Sequence, residues 1–151
     1  RVHGFRLEGL EAAQAAPGVL QALREAAAVI LCPSNPWVSL DPILALPGVR
    51  PSLALKVGVG VSPLVGGQAV KGPAAKMFRE LGIEPSALAV AQHYRGLLAG
   101  LVIDRHDHQL IPAIRDLGLQ VWEEQTIMRN TRDRRRLARF VLERAVVGLP
   151  A

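Results

Sequence analysis

Four short aliphatic runs constrain this chain more than any other feature. They occupy residues 28–31, 55–61, 101–103 and 119–122, and each stops at a proline or a polar loop. Short runs rich in aliphatic residues read as strands, those at 28–31 and 55–61 as buried ones. Helical spacing separates them, over residues 17–27, 39–46, 73–81, 87–98 and 110–117, and follows the last one over 131–147. Pro17 suits a first helical turn, and Pro47-Gly48, Gly82 and Gly118 supply stops. Residues 2–7 alternate weakly and add a candidate strand. Strands alternating with helices predict an α/β domain, with a mainly parallel sheet and helices on both faces. Ligands of such sheets bind at the carboxyl ends of the strands.

Composition agrees with that class. Half of the 151 residues are apolar and only 4% are aromatic, so Ala, Leu and Val fill the core. No apolar run approaches the roughly 20 residues of a membrane span, and no basic-then-apolar leader opens the chain. The single cysteine, Cys32, excludes an internal disulfide framework and reads as a small buried hydrophobe. The expectation is a soluble, cytoplasmic protein. No internal repeat or low-complexity linker interrupts the chain, and Pro150-Ala151 is expected to fray.

The formal net charge of +5 raises the question of nucleic acid. Residues 129–144 hold seven arginines against Asp133 and Glu143, and the rest of the chain is balanced. The same segment carries Leu137, Phe140, Val141 and Ala145 at helical spacing. It reads as a surface helix with one apolar stripe and a basic outer face. No aromatic residues interleave the arginines as a single-strand-binding platform would require.

Two loops carry the chemistry. The first, residues 33–44, reads Pro33-Ser34-Asn35-Pro36-Trp37-Val38-Ser39-Leu40-Asp41-Pro42-Ile43-Leu44. Its prolines stiffen the chain where a strand stops. Ser34 and Asn35 offer donors and acceptors, and Ser39 is placed to cap the following helix. A ligand loop and a plain polar turn before a capped helix both fit. The second, residues 62–73, contains Ser62, Gly66, Gly67, Lys71 and Gly72. Adjacent glycines let backbone N–H groups face an anion, and Lys71 adds a point charge. The order of Lys71 and Gly72 is not that of a Walker loop. A phosphate cradle and a flexible glycine loop both remain open.

Asp104-Arg105-His106-Asp107-His108 follows the third strand. Asp104 and Asp107 are weak candidates for metal ligands, and either equally suits the cap of the next helix. His93 beside Tyr94 reads as a structural histidine. No nucleophile elbow is present.

Together the two loops resemble the CofD family, whose pattern runs Pro-Ser-Asn-Pro, two residues, Ser, then Pro-Ile-Leu, followed by Ser-Pro-Ile-Ile-Gly-Gly and Lys-Gly-Pro-Ala. The likeness continues through Lys76-Met77, Asp104, Asp107, Thr126 and Met128. Leu40, Leu64 and Val65 are apolar swaps. The family's N-terminal half, with a Gly-Gly-Thr-Gly-Gly type loop and metal-binding acids, has no counterpart in residues 1–151. The expectation is therefore a single domain that forms the C-terminal half of a CofD-like, Rossmann-like fold, with an incomplete sheet.

The resemblance implies a transferase of deazaflavin coenzyme F-420 biosynthesis. Such enzymes move a 2-phospholactyl or phosphoenolpyruvyl group from a guanosine diphosphate carrier to the deazaflavin alcohol Fo. GMP leaves, and magnesium (Mg2+) assists. Ser34, Asn35 and Ser39 would then contact donor or deazaflavin. Ser62, Gly66, Gly67 and Gly72 would cradle phosphate, and Lys71 would neutralise it. An open sheet edge would favour a homo-oligomer. Two other functions stay in view: a nucleotide- or phosphate-binding module without catalysis, and an interaction or nucleic-acid-binding domain acting through the basic helix.

Overall fold

The computed structural model describes residues 2–70 and 72–147, so Lys71 and the Pro150-Ala151 end lie outside the described residues. Four strands form the main sheet: β1 (Ala28–Leu31), β2 (Val57–Val61), β5 (Gly100–Asp104) and β6 (Gln120–Glu124). They lie side by side in the order β1-β2-β5-β6, and every pair is parallel. Between β2 and β5 a small antiparallel hairpin, β3 (Leu64–Val65) and β4 (Gln68–Ala69), stands apart from the sheet.

The strand order advances in one direction, so right-handed crossovers put the connecting helices on one face. Those helices are α2 (Asp41–Leu44), α3 (Val49–Ala54), α4 (Ala74–Glu80), α5 (Ala87–His93) and α6 (Ile111–Arg115), joined by α1 (Val19–Glu25) ahead of β1. Leu31, Leu101, Ile103 and Val121 point into this layer, against Leu53, Phe78, Val90 and Ile114. The alternate residues Val59, Val61 and Val102 point the other way, against Leu137, Val141 and Ala145 of α7 (Thr131–Val147). That i, i+4, i+8 stripe is the one expected of the basic helix, with Phe140 half-buried beside it. Both faces of the sheet are therefore covered by helix. Among the described residues no helix is long and apolar enough to cross a membrane.

Gly58 and Gly60 belong to the strand because a neighbour lies too close for a side chain. A Cβ on Gly60 would sit 2.6 Å from Leu98 Cδ1, and one on Gly58 would sit 3.0 Å from the Leu97 carbonyl. Gly100 is tighter still: its Cβ would meet the Trp122 ring at 2.3 Å. Gly100→Ala is expected to cost about 1–3 kcal/mol by overpacking, read by urea denaturation. Adding Trp122→Leu should recover part of the loss; an unchanged midpoint in the single variant would contradict this packing.

Several expectations give way. Residues 2–7 form no strand; Val2 N–H instead donates to Glu80 Oε2 and the Phe5 ring stacks on Trp37. The expected strand at 55–61 begins at Val57, because α3 ends at Ala54 and Leu55 and Lys56 make the turn out of it. Pro51 falls in that helix's first turn, where a missing N–H costs nothing. Cys32 is exposed rather than buried, one residue beyond the edge strand β1. Half of the glycine-rich loop is the β3–β4 hairpin, and Gly66 and Gly67 (φ 56° and 73°) make its turn. Two consecutive positive φ values are what a two-residue hairpin of this twist demands.

Candidate functional site

A cleft of about 480 Å³ opens at the carboxyl ends of β1, β2 and β6. Ser34, Asn35, Val38 and Ser39 form its first wall. This wall leaves β1 and winds into a wide helical turn, Pro36–Leu40. Asn35 starts the turn: its Oδ1 accepts from the N–H groups of Trp37 (3.0 Å) and Val38 (3.2 Å). Its Nδ2 donates to Met77 Sδ of α4. Asn35 is thus the cap, and Ser39, expected in that role, lies within the turn with its side chain on the cleft. Asn35→Ala should lower stability by about 1–2 kcal/mol, read as a shift in the thermal midpoint. A midpoint equal to that of the parent would contradict the capping role.

Trp37 projects from the same turn into the core, edge-on to Phe78 with ring centroids 4.3 Å apart. His93 holds the far end through Asp41 Oδ1 at 2.9 Å and is not on the cleft wall. Tyr94 beside it is buried, and burial, with the Asp41 charge adding to it, drives its phenol pKa up.

Ser62 and Pro63 leave β2 and supply the floor. The Ser62 hydroxyl is buried; it donates to the Leu64 carbonyl and accepts from the Leu64 N–H. Val70, Gly72 and Pro73 continue the wall to the start of α4. Gly66 and Gly67 do not reach it, and the Gly66 N–H points to Asp107, 3.1 Å from each carboxylate oxygen. Of the loop residues singled out from sequence, Ser34, Asn35, Ser39, Ser62 and Gly72 come together on the cleft.

The third wall, Thr126, Met128 and Arg134, follows β6. Asp104, at the end of β5, fixes it from below. Asp104 Oδ2 accepts from Thr126 N–H (2.7 Å) and Thr126 Oγ1 (3.0 Å); Oδ1 accepts from His106 N–H and contacts His106 Nδ1 at 2.6 Å. Burial opposes ionisation of Asp104, yet these hydrogen bonds outweigh it and hold the carboxyl below its usual range. Asp107 shows the opposite balance. Burial pushes its carboxyl up, and the Gly66 N–H pulls it down by less. Arg136 ties the same strand exit to α7, donating to Glu124 Oε1 (2.9 Å) and the Gln125 carbonyl (2.8 Å).

The two aspartates do not fit a magnesium ion at the cleft. Both Asp104 oxygens are engaged by protein donors, Asp107 is buried behind Gly66, and neither lines the wall. Among the described residues no group of three or more His, Cys, Asp or Glu is arranged to hold a metal. Thr126, Met128 and Arg134 had no assigned role in the sequence reading. Arg134 lay hidden among arginines of a solvated helix; its place one turn beyond Asn130 was the available signal.

A parallel α/β sheet with a polar and apolar cleft at its strand ends defines a ligand-binding class common to nucleotide and phosphate chemistry. The family model for 2-phospho-L-lactate transferase CofD matches residues 1–138, and the chain belongs to that family. It is 47% identical over 106 residues to a phosphoenolpyruvate transferase of Thermobifida fusca, covering 70% of this chain and 33% of that protein. It is 36% identical over 142 residues to a 2-phospho-L-lactate transferase of Methanosarcina mazei, covering 94% and 47%. A 2-phospho-L-lactate transferase of Methanopyrus kandleri is 39% identical over 144 residues, covering 93% and 45%. The chain spans less than half the length of these relatives.

Proposed function

We propose that this chain supplies a substrate-binding cleft of a transferase that moves a 2-phospholactyl or phosphoenolpyruvyl group from a guanosine diphosphate carrier to Fo. One observation carries the reading: in a CofD-family chain, the two loops that mark the family leave neighbouring strands and meet on a single cleft. In this reading the Fo hydroxyl attacks phosphorus, an O–P bond forms, the P–O bond to GMP breaks, and the hydroxyl proton is lost to solvent. The contribution of the chain's own residues is positioning. The turn capped by Asn35 presents Ser34 and Ser39, and Val38, Val70 and Met128, all exposed, offer apolar surface to a flat ring. The family's magnesium would take up phosphate charge, held by residues other than Asp104 and Asp107.

A second reading of the same cleft is nucleotide binding without turnover. Incubation with Fo, magnesium and the guanosine diphosphate-linked donor separates the two. Fo-dependent release of GMP, followed by chromatography, is the result the transferase reading expects of an active chain. Binding of donor and Fo with no GMP assigns the chain the cleft alone. Failure to bind either would overturn both readings.

A further inference from the structure

The polar groups on the cleft wall differ in whether the protein already engages them. Asn35 is taken up by Trp37, Val38 and Met77, Ser62 by Leu64, and the Thr126 hydroxyl donates to Asp104. Among the described residues, the hydroxyls of Ser34 and Ser39 and the guanidinium of Arg134 have no such hydrogen bond. Arg134 is exposed and lines the cleft. Of the other arginines on α7, Arg136 pairs with Glu124, Arg139 with Glu143, and Arg144 lies over the Phe140 ring, while Arg132 and Arg135 are exposed and do not line the cleft. No described Asp or Glu lines the cleft to neutralise Arg134.

We infer that Arg134 is the cleft's phosphate anchor: its guanidinium binds the phosphate of the nucleotide donor, opposite the hydroxyls of Ser34 and Ser39. A guanidinium presents paired N–H donors that match two phosphate oxygens. Two free hydroxyls complete a set of donors with no competing carboxylate. The position fits too, since an anion at the ends of β1 and β2 lies where parallel sheets take phosphate. The inference deepens the proposed function and rests on it for the identity of the nucleotide, but not for the anion itself.

The test is calorimetric titration of the 151-residue chain with inorganic pyrophosphate, GDP and Fo, using Arg134→Ala, Arg134→Lys and the control Arg135→Ala. Arg135 is exposed on the same helix and off the cleft. Arg134→Ala should weaken GDP and pyrophosphate by about tenfold or more, the usual worth of a charge-assisted hydrogen bond. Arg134→Lys should fall between, because the charge survives and the paired geometry does not. Fo affinity and thermal midpoint should be unchanged in Arg134→Ala, and Arg135→Ala should match the parent throughout. GDP affinity unaltered in Arg134→Ala would overturn the inference while leaving the transferase reading intact. So would a parent chain that binds Fo and neither anion. Anion binding that depends on Arg134 in a chain that ignores Fo would uphold the anchor and sink the reading it deepens.

Discussion

Asp104→Ala is expected to destabilise the fold by about 3–5 kcal/mol, the cost of leaving buried donors without their acceptor. Asp104 is fully buried, and its two oxygens serve the Thr126 N–H and hydroxyl and the His106 N–H and ring. Against a typical total of about 5–15 kcal/mol, that loss reads directly as a fall in the urea midpoint or as failure to fold. Asp104→Asn keeps the shape and one acceptor, and should cost about 2 kcal/mol at neutral pH. Its pH dependence gives the sharper reading. The folded carboxyl of Asp104 is held below its ordinary value. Its contribution is therefore full above the unfolded pKa, about 3.9, and drains away as pH falls through the folded value.

Asp107 reverses the sign. Its folded carboxyl is raised by burial, so its contribution is present below the unfolded pKa and lost as pH rises through the folded value. Asp107→Asn retains an acceptor for the Gly66 N–H and removes the buried charge. The deficit of Asp104→Asn should grow as pH rises to about 4 and then level off, while Asp107→Asn should improve relative to the parent as pH rises above about 4. Two parallel pH–stability curves would contradict this division of roles.

Phe78→Ala should cost about 3–5 kcal/mol, as expected for a deleted core ring. Phe78 is 1% exposed and meets Trp37 edge-on beneath the turn that carries Val38 and Ser39. The same change should weaken GDP or Fo binding beyond its effect on stability, because the turn loses its support, and shift tryptophan emission. Phe78→Leu fills most of the space and should cost about 1 kcal/mol. Phe140→Ala provides the comparison: its half-buried ring sits on the α7 side of the sheet, remote from the turn. It should lower stability and leave affinity alone. Equal loss of affinity in both alanine variants would show that the Trp37–Phe78 contact has no special link to the cleft.

The sheet was legible because buried parallel strands write continuous aliphatic runs, and α7 because its stripe at Leu137, Val141 and Ala145 has no competing pattern. Gly58 and Gly60 are poor strand residues by themselves, and only the folded chain shows Leu97 and Leu98 passing over them. The short helix α3 was hidden by Pro51, which local rules read as a break unless the helix start is known. At the site, the loops were visible and their partners were not. Asn35 outcompetes Ser39 as cap through a distance the sequence does not carry. Gly66 faces Asp107 across 41 positions, so the glycine pair serves a hairpin turn whose N–H is already engaged. Arg134 reaches the cleft because α7 turns back after β6 and packs across β2 and β1, which spacing along the chain cannot express.

In the proposed function, ligand lies in the cleft shared by the ends of β1, β2 and β6. At 16.2 kDa the chain suits amide NMR, and the direct measurement is a titration with Fo and GDP. The account expects shifts centred on Ser34, Ser39, Ser62, Thr126 and Met128, with the outer face of α7 silent. A folded chain that shows no shifts at saturating ligand, or shifts confined to Arg132, Arg135 and Arg139, would contradict it.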